Sequence, residues 1–598
     1  MSFIRYAIRP SRPEAHLFEV RCTVPEPAPD GQVFSLPVWI PGSYMIREFA
    51  RHIVSLKAEA DGRAVALDKL DKHSWRAAKV PRGQALTLIY EVYAWDLSVR
   101  AAHLDLTHGF FNGASVFLAV GGQTDVKCRV DIQPPSTCAE NWRVATALSS
   151  AEGEPGEAAA YGFGLYRADS YDELIDHPVE MGAFTLDHFE AGGVRHDVVL
   201  SGRHDCDMAR LKDDLASICQ WQIDLFGAPP PMARYLFLTQ LVGDGYGGLE
   251  HRASTALIAS RDDLPYPGME GLPDGYKIYL GLCSHEYFHS WNVKRIKPAA
   301  FMPYDLAREN HTRLLWAFEG ITSYYDDLAL LRAGVIGIDD YLGLLAKNIT
   351  SLLKTPGRRR QSVAAASFDA WTHYYRQDEN SPNATVSYYI KGALIALALD
   401  LQLRADSAGR RSLDDVMRAL WRQYGCGDAG VPEDGIFVVV GEIGGLALSR
   451  WLRRTVEGVG DLPLAKLLRR FGVHWQASVA SAAPALGIRL AVGKEARIAS
   501  IHDDGPAQKA GLSAGDVLIA VDGLRVDGDR LAKLLGRRRA GDRVEIHAFR
   551  RDELMRFDVE LGVAPKDTVK LRLDEHADRD ADTLRRGWLG ERRAEKGK

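Results

Sequence analysis

Long apolar runs are missing from this chain: no stretch approaches the roughly 18 residues that span a bilayer, so no membrane partner is expected. Cysteine is sparse. The seven, at 22, 128, 138, 206, 219, 283 and 426, are odd in number and form no CxxC pair. That pattern fits reduced thiols better than a disulfide framework and favours a reducing compartment. The opening Met1-Ser2-Phe3-Ile4-Arg5 turns charged at once and shows no apolar h-region. A cytoplasmic location is therefore the expectation, or a periplasmic one if a leader has been removed. Basic excess is absent too. Lys and Arg number 74 against 79 Asp and Glu, a net charge of -5, which gives no reason to expect nucleic acid as a partner. Arg358 to Arg360 and Arg537 to Arg539 read as solvated surface. Internal repeats and low-complexity tracts are also lacking.

What is present divides into regions. At 598 residues the chain exceeds one hydrophobic core, and its length suggests about three to five domains. Residues 1–170 read as β, with short β-branched and aromatic runs at Phe18 to Val24, Val33 to Ile40 and Ala85 to Trp95 between Pro/Gly/Asp turns. Their spacing suggests a sandwich-like domain. Residues 171–480 turn helical from about 205. Helices are expected over Tyr276 to Trp291 with Asp274 as N-cap, over Leu314 to Arg332 ending at Ala333-Gly334, and over an apolar, buried Val386 to Arg404. Residues 481–565 return to short strands among Gly- and Pro-bearing turns. Residues 566–598 read as a charged, solvated tail.

The chemistry concentrates in His285-Glu286-Tyr287-Phe288-His289, an H-E-x-x-H pentad inside the first of these helices. The helical repeat puts His285 and His289 one turn apart on one face, close enough to share one ion. Glu286 stands beside the first ligand, where it can act as base toward a zinc-bound water whose pKa the metal has lowered. A lone carboxylate, Glu319, lies in the apolar run Trp316 to Tyr325; burial without a counter-charge is costly, so it needs a cation or metal. Two histidines and a glutamate leave one zinc position open, as catalysis requires.

Two further segments supply accessory groups. Ser387-Tyr388-Tyr389-Ile390-Lys391-Gly392 offers Tyr388 or Tyr389 to stabilise a tetrahedral oxyanion. Tyr246-Gly247-Gly248-Leu249-Glu250-His251 places Glu250 just past Gly247 and Gly248, which let a substrate backbone approach closely; a carboxylate there can pair with a free α-amine.

At these residues the chain resembles the glycyl aminopeptidase family, metallopeptidase family sixty-one. The stretches that carry the likeness are SHEYFHSWNVKRIKP (284–298), LLWAFEGITSYYDDLALLRAG (314–334), YGGLEH (246–251) and WIPGSYMIREFARHI (39–53). The resemblance implies a multidomain α+β protein: a β-sandwich-like N-terminal domain, a thermolysin-like, mainly helical catalytic domain, and a C-terminal PDZ domain. It implies one zinc ion on His285, His289 and Glu319, Glu286 as base, Glu250 as amine anchor and Tyr389 as oxyanion stabiliser. The anchor motif here reads Leu249-Glu250-His251 where the distantly similar aminopeptidase N group has M-E-N. Gly505-Pro506-Ala507, Ala510-Gly511-Leu512 and Gly515-Asp516-Val517-Leu518 resemble a bacterial PDZ domain, with Leu486-Gly487-Ile488 as its carboxylate-binding loop.

The expectation is a zinc aminopeptidase acting on peptides with a free N-terminus, small residues such as Gly or Ala by family likeness, with a C-terminal peptide as ligand of the PDZ groove. A PDZ-guided zinc endopeptidase and a non-catalytic PDZ scaffold are the alternatives.

Overall fold

The N-terminal run of alternating apolar and polar residues does form sheets. The computed structural model describes residues 3–136, 141–427, 429–481 and 483–590; Cys138 and positions 591–598 of the expected tail lie outside the described residues. Ile4–Arg12, Leu17–Val24 and Leu86–Tyr93 sit side by side in an eight-stranded sheet. Their inward side chains, Ile8, Phe18, Val20, Leu88 and Tyr90 among them, are buried in one continuous core. The strand expected over Val33 to Ile40 stops at Ser35, because Pro37 has no N–H to continue a ladder.

By backbone contacts the chain divides into two units: Met1–Asn310 with Arg332–Ile336 and Leu420–Val431, and His311–Leu331 with Gly337–Ala419 and Pro432–Lys598. Beyond the N-terminal sheets, the first unit holds a five-stranded sheet. Its strands run in space Thr185–Ala191, Val194–Ser201, Arg234–Val242, Ser254–Ser260, Tyr246–Glu250, so Tyr246–Glu250 is an edge. Helices Met208–Phe226 and Asp274–Phe288 belong to the same unit. The second helix starts one residue earlier than an Asp274 cap would allow: Pro273 occupies the N-cap, and Asp274 lies in the first turn, where its charge suits the helix dipole and pairs with Lys277 at 3.0 Å.

The second unit is helical around Tyr388–Asp406, which is buried on nearly every side and has no amphipathic face. Counted from Ser381, this helix is long and apolar enough to cross a membrane; 72% of its apolar window is buried inside the protein, as in a core helix. The helix expected over Leu314 to Arg332 is two pieces, Leu315–Phe318 and Gly320–Arg332, with Glu319 at the joint. Gly334 then takes φ +81°, the left-handed turn expected of a C-terminal glycine.

The C-terminal module is a sheet ordered Ile488–Leu490, Ala496–Ile501, Val517–Val521, Arg543–Arg550, Glu553–Glu560, with helix Gly528–Leu535 and its own core. The region from 566 is not a solvated tail. Thr568–Leu573 pairs antiparallel with Val473–Ser478, and Arg579–Leu589 is a helix. Most of its charges lie on one face; from the other, Trp588 is fully buried and donates its indole N–H to the Tyr324 hydroxyl at 3.1 Å. Amphipathic packing overrides composition here.

Candidate metal centre and peptide-binding edges

The pentad helix is held from several sides. Gln222 Nε2 donates to the Ser284 carbonyl and hydroxyl, both at 2.9 Å. Tyr287, between the two histidines, faces away from them and donates its hydroxyl to His196 Nε2 at 2.9 Å, because His196 Nδ1–H is committed to the Val194 carbonyl at 2.8 Å. On the opposite face the His285 and His289 Nε2 atoms stand 3.1 Å apart. His289 Nδ1 lies 2.7 Å from the Asn292 carbonyl, which can only accept, so the proton sits on Nδ1 and the Nε2 lone pair points into the site. Two imidazole nitrogens about 3 Å apart, with the His289 tautomer fixed from behind, suit a zinc ion bound at about 2.0–2.1 Å.

Glu286 lies under the sheet edge. A Cβ built on Gly248 would fall 2.1 Å from Glu286 Oε1, so only glycine at 248 leaves room for that carboxylate. Ladder alternation sets which way Gly248 faces. His251 N donates to Ser254 O, which makes 249/256 and 247/258 the bonded pairs and turns the N–H and C=O of Gly248 to the open edge. Gly247 is therefore in the ladder and Gly248 at the open edge. Arg100 takes the Gly248 carbonyl at 3.1 Å from a separate strand connection.

Glu250 ends this edge. It is 4% exposed, and its Oε1 has no hydrogen-bond partner. Donor atoms of Glu250, Glu286 and His289 all lie within 4.8 Å of one another. The loop at Gly42, φ +93°, closes over Glu250: a Cβ there would meet both carboxylate oxygens at 2.5 and 2.6 Å. Neither Gly42 nor Arg100 was picked out from sequence as a site residue. Gly42 belongs to the quoted 39–53 stretch, but no chemistry marked it; Arg100 carried no signal.

Beyond the pentad, Lys294 and Arg252 surround Asp176, with Lys294 Nζ at 2.6 Å, and His251 Nδ1 lies 3.5 Å away. Burial alone would raise the Asp176 pKa; the adjoining cations, Lys294 first, hold it well below the carboxylate range. The 290–298 stretch thus ties the loop after the pentad to the N-terminal domain.

In the second unit, Glu319 and Tyr389 meet through a helix crossing made of two glycines. A Cβ on Gly320 would strike Gly392 Cα at 2.5 Å, and one on Gly392 would strike the Trp316 carbonyl at 2.6 Å. That contact explains why Glu319 and Lys391 are each followed by glycine. Tyr389, three residues before Gly392, has its hydroxyl 3.2 Å from the Tyr375 hydroxyl. Burial first, and then the charge of Glu319, hold its pKa well above the ordinary tyrosine value, so it stays a donor. Tyr388 is fully buried, whereas the Tyr389 ring is partly accessible. Lys391 points elsewhere, donating to the Arg358 carbonyl at 3.1 Å.

The C-terminal module has its own open edge at Ile488–Leu490. The Leu486 carbonyl accepts from Ala507 N and the Gly487 carbonyl from His502 N, both at 2.9 Å. Because 487/502 is a bonded pair, the backbone groups of Ile488 face the free edge. Gly487 adopts φ +77° against Gly505 and Pro506. Asn383 braces the far side: its Nδ2 donates to the Ile501 carbonyl at 2.7 Å and its Oδ1 accepts from Asp503 N at 3.0 Å.

Comparison with known proteins agrees with this architecture. Profiles of the peptidase M61 N-terminal domain, the M61 glycyl aminopeptidase and the PDZ domain match residues 5–183, 278–395 and 484–561. A crystal structure of an aminopeptidase N family protein from Idiomarina loihiensis is 41% identical, with a TM-score of 0.93 over 98% of this chain and 100% of that one. An M1 zinc metallopeptidase from Deinococcus radiodurans is 15% identical, with a TM-score of 0.48 over 77% of this chain and 95% of that one. A probable periplasmic serine endoprotease, DegP-like, from Brucella suis is 37% identical over 100 residues, 17% of this chain and 19% of that protein. The chain thus spans about a fifth of that relative's length. With its β-rich N-terminal domain, helical middle region and C-terminal PDZ domain, the chain belongs to the M61 glycyl aminopeptidase family.

Proposed function

We propose that the enzyme is an aminopeptidase that removes single residues from the free N-terminus of peptides, with His285, His289 and Glu319 holding one zinc ion. One family profile spans all three residues. Zinc bound there supplies Lewis acidity that lowers the pKa of a water and polarises a peptide carbonyl. Glu286 takes the proton of the attacking water at its carboxylate and passes it to the leaving amine. The Tyr389 hydroxyl donates to the oxygen on which negative charge develops. Gly248 offers its N–H to the substrate backbone, while Arg100 holds its carbonyl on the same open side.

The observation that carries the exopeptidase reading is Glu250. A buried carboxylate oxygen without a partner, within 4.8 Å of Glu286 and His289 donors, calls for a cation, and a substrate α-ammonium supplies one. An amine held that close to the base leaves room for one residue before the scissile bond. A preference for Gly or Ala at that residue is supported by the family's description as glycyl aminopeptidases. The open edge at Ile488, in turn, supports capture of a C-terminal peptide segment by the PDZ domain.

The test compares one peptide with its N-acetylated form. The wild type is expected to cleave the free peptide at least about 10²-fold faster in kcat/KM, and Glu250→Gln to lose most of that difference. Equal cleavage of the two forms by the wild type removes the amine anchor and leaves the endopeptidase reading.

A further inference from the structure

Two histidines and an aspartate stand together on a β-hairpin that plays no part in the chemistry above. Ala102–Leu104 and His108–Phe111 pair antiparallel, and Asp105-Leu106-Thr107 makes the turn. Side chains two apart on a strand share a face, which aligns His103 with Asp105. The pairing of Leu104 with Gly109 puts His108 across from Asp105, so the third side chain joins them. The turn itself orients the carboxylate. Asp105 Oδ1 accepts from Thr107 N and Thr107 Oγ1, both at 2.6 Å, and from His108 N at 3.1 Å. Oδ2 is left facing His103 Nε2 at 3.3 Å, and His108 Nδ1 lies 3.7 Å from Oδ1.

We propose that His103, Asp105 and His108 form a second divalent-metal site of the zinc class, separate from the pentad. Their donor atoms lie within 4.8 Å of one another. Zinc with ligands at about 2.0–2.2 Å spaces them by about 3.3–3.6 Å in a tetrahedron, which these side chains meet with small adjustments. The imidazole rings are stacked, with centroids 4.9 Å apart. Trp95 packs on His103 at 4.9 Å and His16 on Trp95 at 3.9 Å, walling one side of the cluster.

The surroundings favour a metal over a simple ion pair. His103 is 4% exposed, so its ring is held out of solvent beside the Asp105 carboxylate. Among the described residues no lysine or arginine bridges Asp105; its charged contacts are the two imidazoles. Asp105 and the buried Glu180 both act on His108 and account for one imidazolium; a second, on the stacked His103 ring, would be repelled by it. A divalent ion uses both rings neutral, and Asp105, the most exposed of the three, leaves the cluster open to solvent for exchange.

Zinc analysis of the full-length protein after exhaustive dialysis tests the assignment. Wild type is expected to hold two zinc ions per chain. His103→Asn/His108→Asn is expected to hold one and to keep peptide hydrolysis, while His285→Asn/His289→Asn holds one and loses hydrolysis. Asp105→Asn keeps the Oδ1 acceptor that shapes the turn, so it folds even if the histidine pair does not tolerate change; its second zinc should be lost to a chelator at least about tenfold more readily. A single zinc in the wild type, or two zincs in the His103/His108 variant, overturns the proposal. So does unchanged zinc retention in Asp105→Asn.

Discussion

Two sheet edges in this molecule are open to a peptide, and they are built to opposite ends. Tyr246–Glu250 and Ile488–Leu490 are each the last strand of their sheet, the first with Gly248 at its open edge and the second preceded by Gly487. The first edge ends on a carboxylate with an unpartnered oxygen, Glu250, which suits an amine. The second begins at a left-handed glycine loop, where backbone N–H groups suit a carboxylate. On the reading proposed above, backbone pairing is common to both, and the group at the end of the edge decides which terminus is read. They also differ in support. Arg100 and the Gly42 loop clamp the first edge, whereas backbone bonds from Ala507 and His502 hold the second.

The sharpest way to break this comparison is to make the first edge fail while the second still works. In Gly248→Val the new side chain takes the place of Glu286 Oε1, the movable end of a side chain, so the fold survives and the base swings away. Turnover should fall about 10³-fold, the usual worth of a general base, with unfolding free energy altered by less than about 1 kcal/mol. Peptide binding by the isolated second edge, read by titration of a C-terminal peptide onto the full chain, should be unchanged. Undiminished turnover would mean that Glu286 is not held where the edge requires it.

Acid should separate the two sheets next. His196, in the strand sequence Val194–Ser201 of the first edge's sheet, is fully buried and its pKa is pushed down to about 4, chiefly by burial. Its folded-state value lies below the ordinary 6.5, so the folded protein prefers the neutral ring. The stability tied to that preference is complete above pH 6.5 and drains away as pH falls toward 4, by up to about 3 kcal/mol. Because the neutral Nε2 accepts from Tyr287, the loss falls on the anchor of the pentad helix. Denaturant titrations at pH 7 and pH 4.5 should show the drop in wild type and a flatter profile in His196→Gln. An equal drop in both would assign the acid sensitivity to other groups.

What the sequence made legible follows the same division between local and distant. One helical turn is enough to align His285 with His289, whereas the close crossing at Gly320 and Gly392 shows only in the structure. Gly248 and Glu250 stood out because a double glycine before an acid is rare in a strand. Arg100 acts across 148 positions of sequence and Gly42 acts only by lacking a side chain, so neither leaves a local pattern. The multidomain α+β plan was readable from the change of periodicity. The C-terminal segment was misread because composition counts charges without asking which face carries them; Ala581, Trp588 and Leu589 lie on the buried one.

The smallest effect, and the one that bears most on the second edge, comes from Gly487→Ala. Alanine tolerates φ +77° poorly, and its Cβ would press on Gly505 Cα at 3.2 Å and Pro506 Cδ at 3.3 Å. The loop must shift by a few tenths of an ångström, enough to misaim the N–H groups ahead of Ile488 without unfolding a module whose core lies elsewhere. Binding of a C-terminal peptide should weaken about tenfold, roughly 1.4 kcal/mol, while hydrolysis of a dipeptide too short to reach any second site stays at the wild-type rate. If dipeptide hydrolysis fell in step with peptide binding, the two edges would not be independent readers. Asn383, which bonds Ile501 and Asp503 and precedes the Tyr389 helix by a few residues, would then be the connection to remove next.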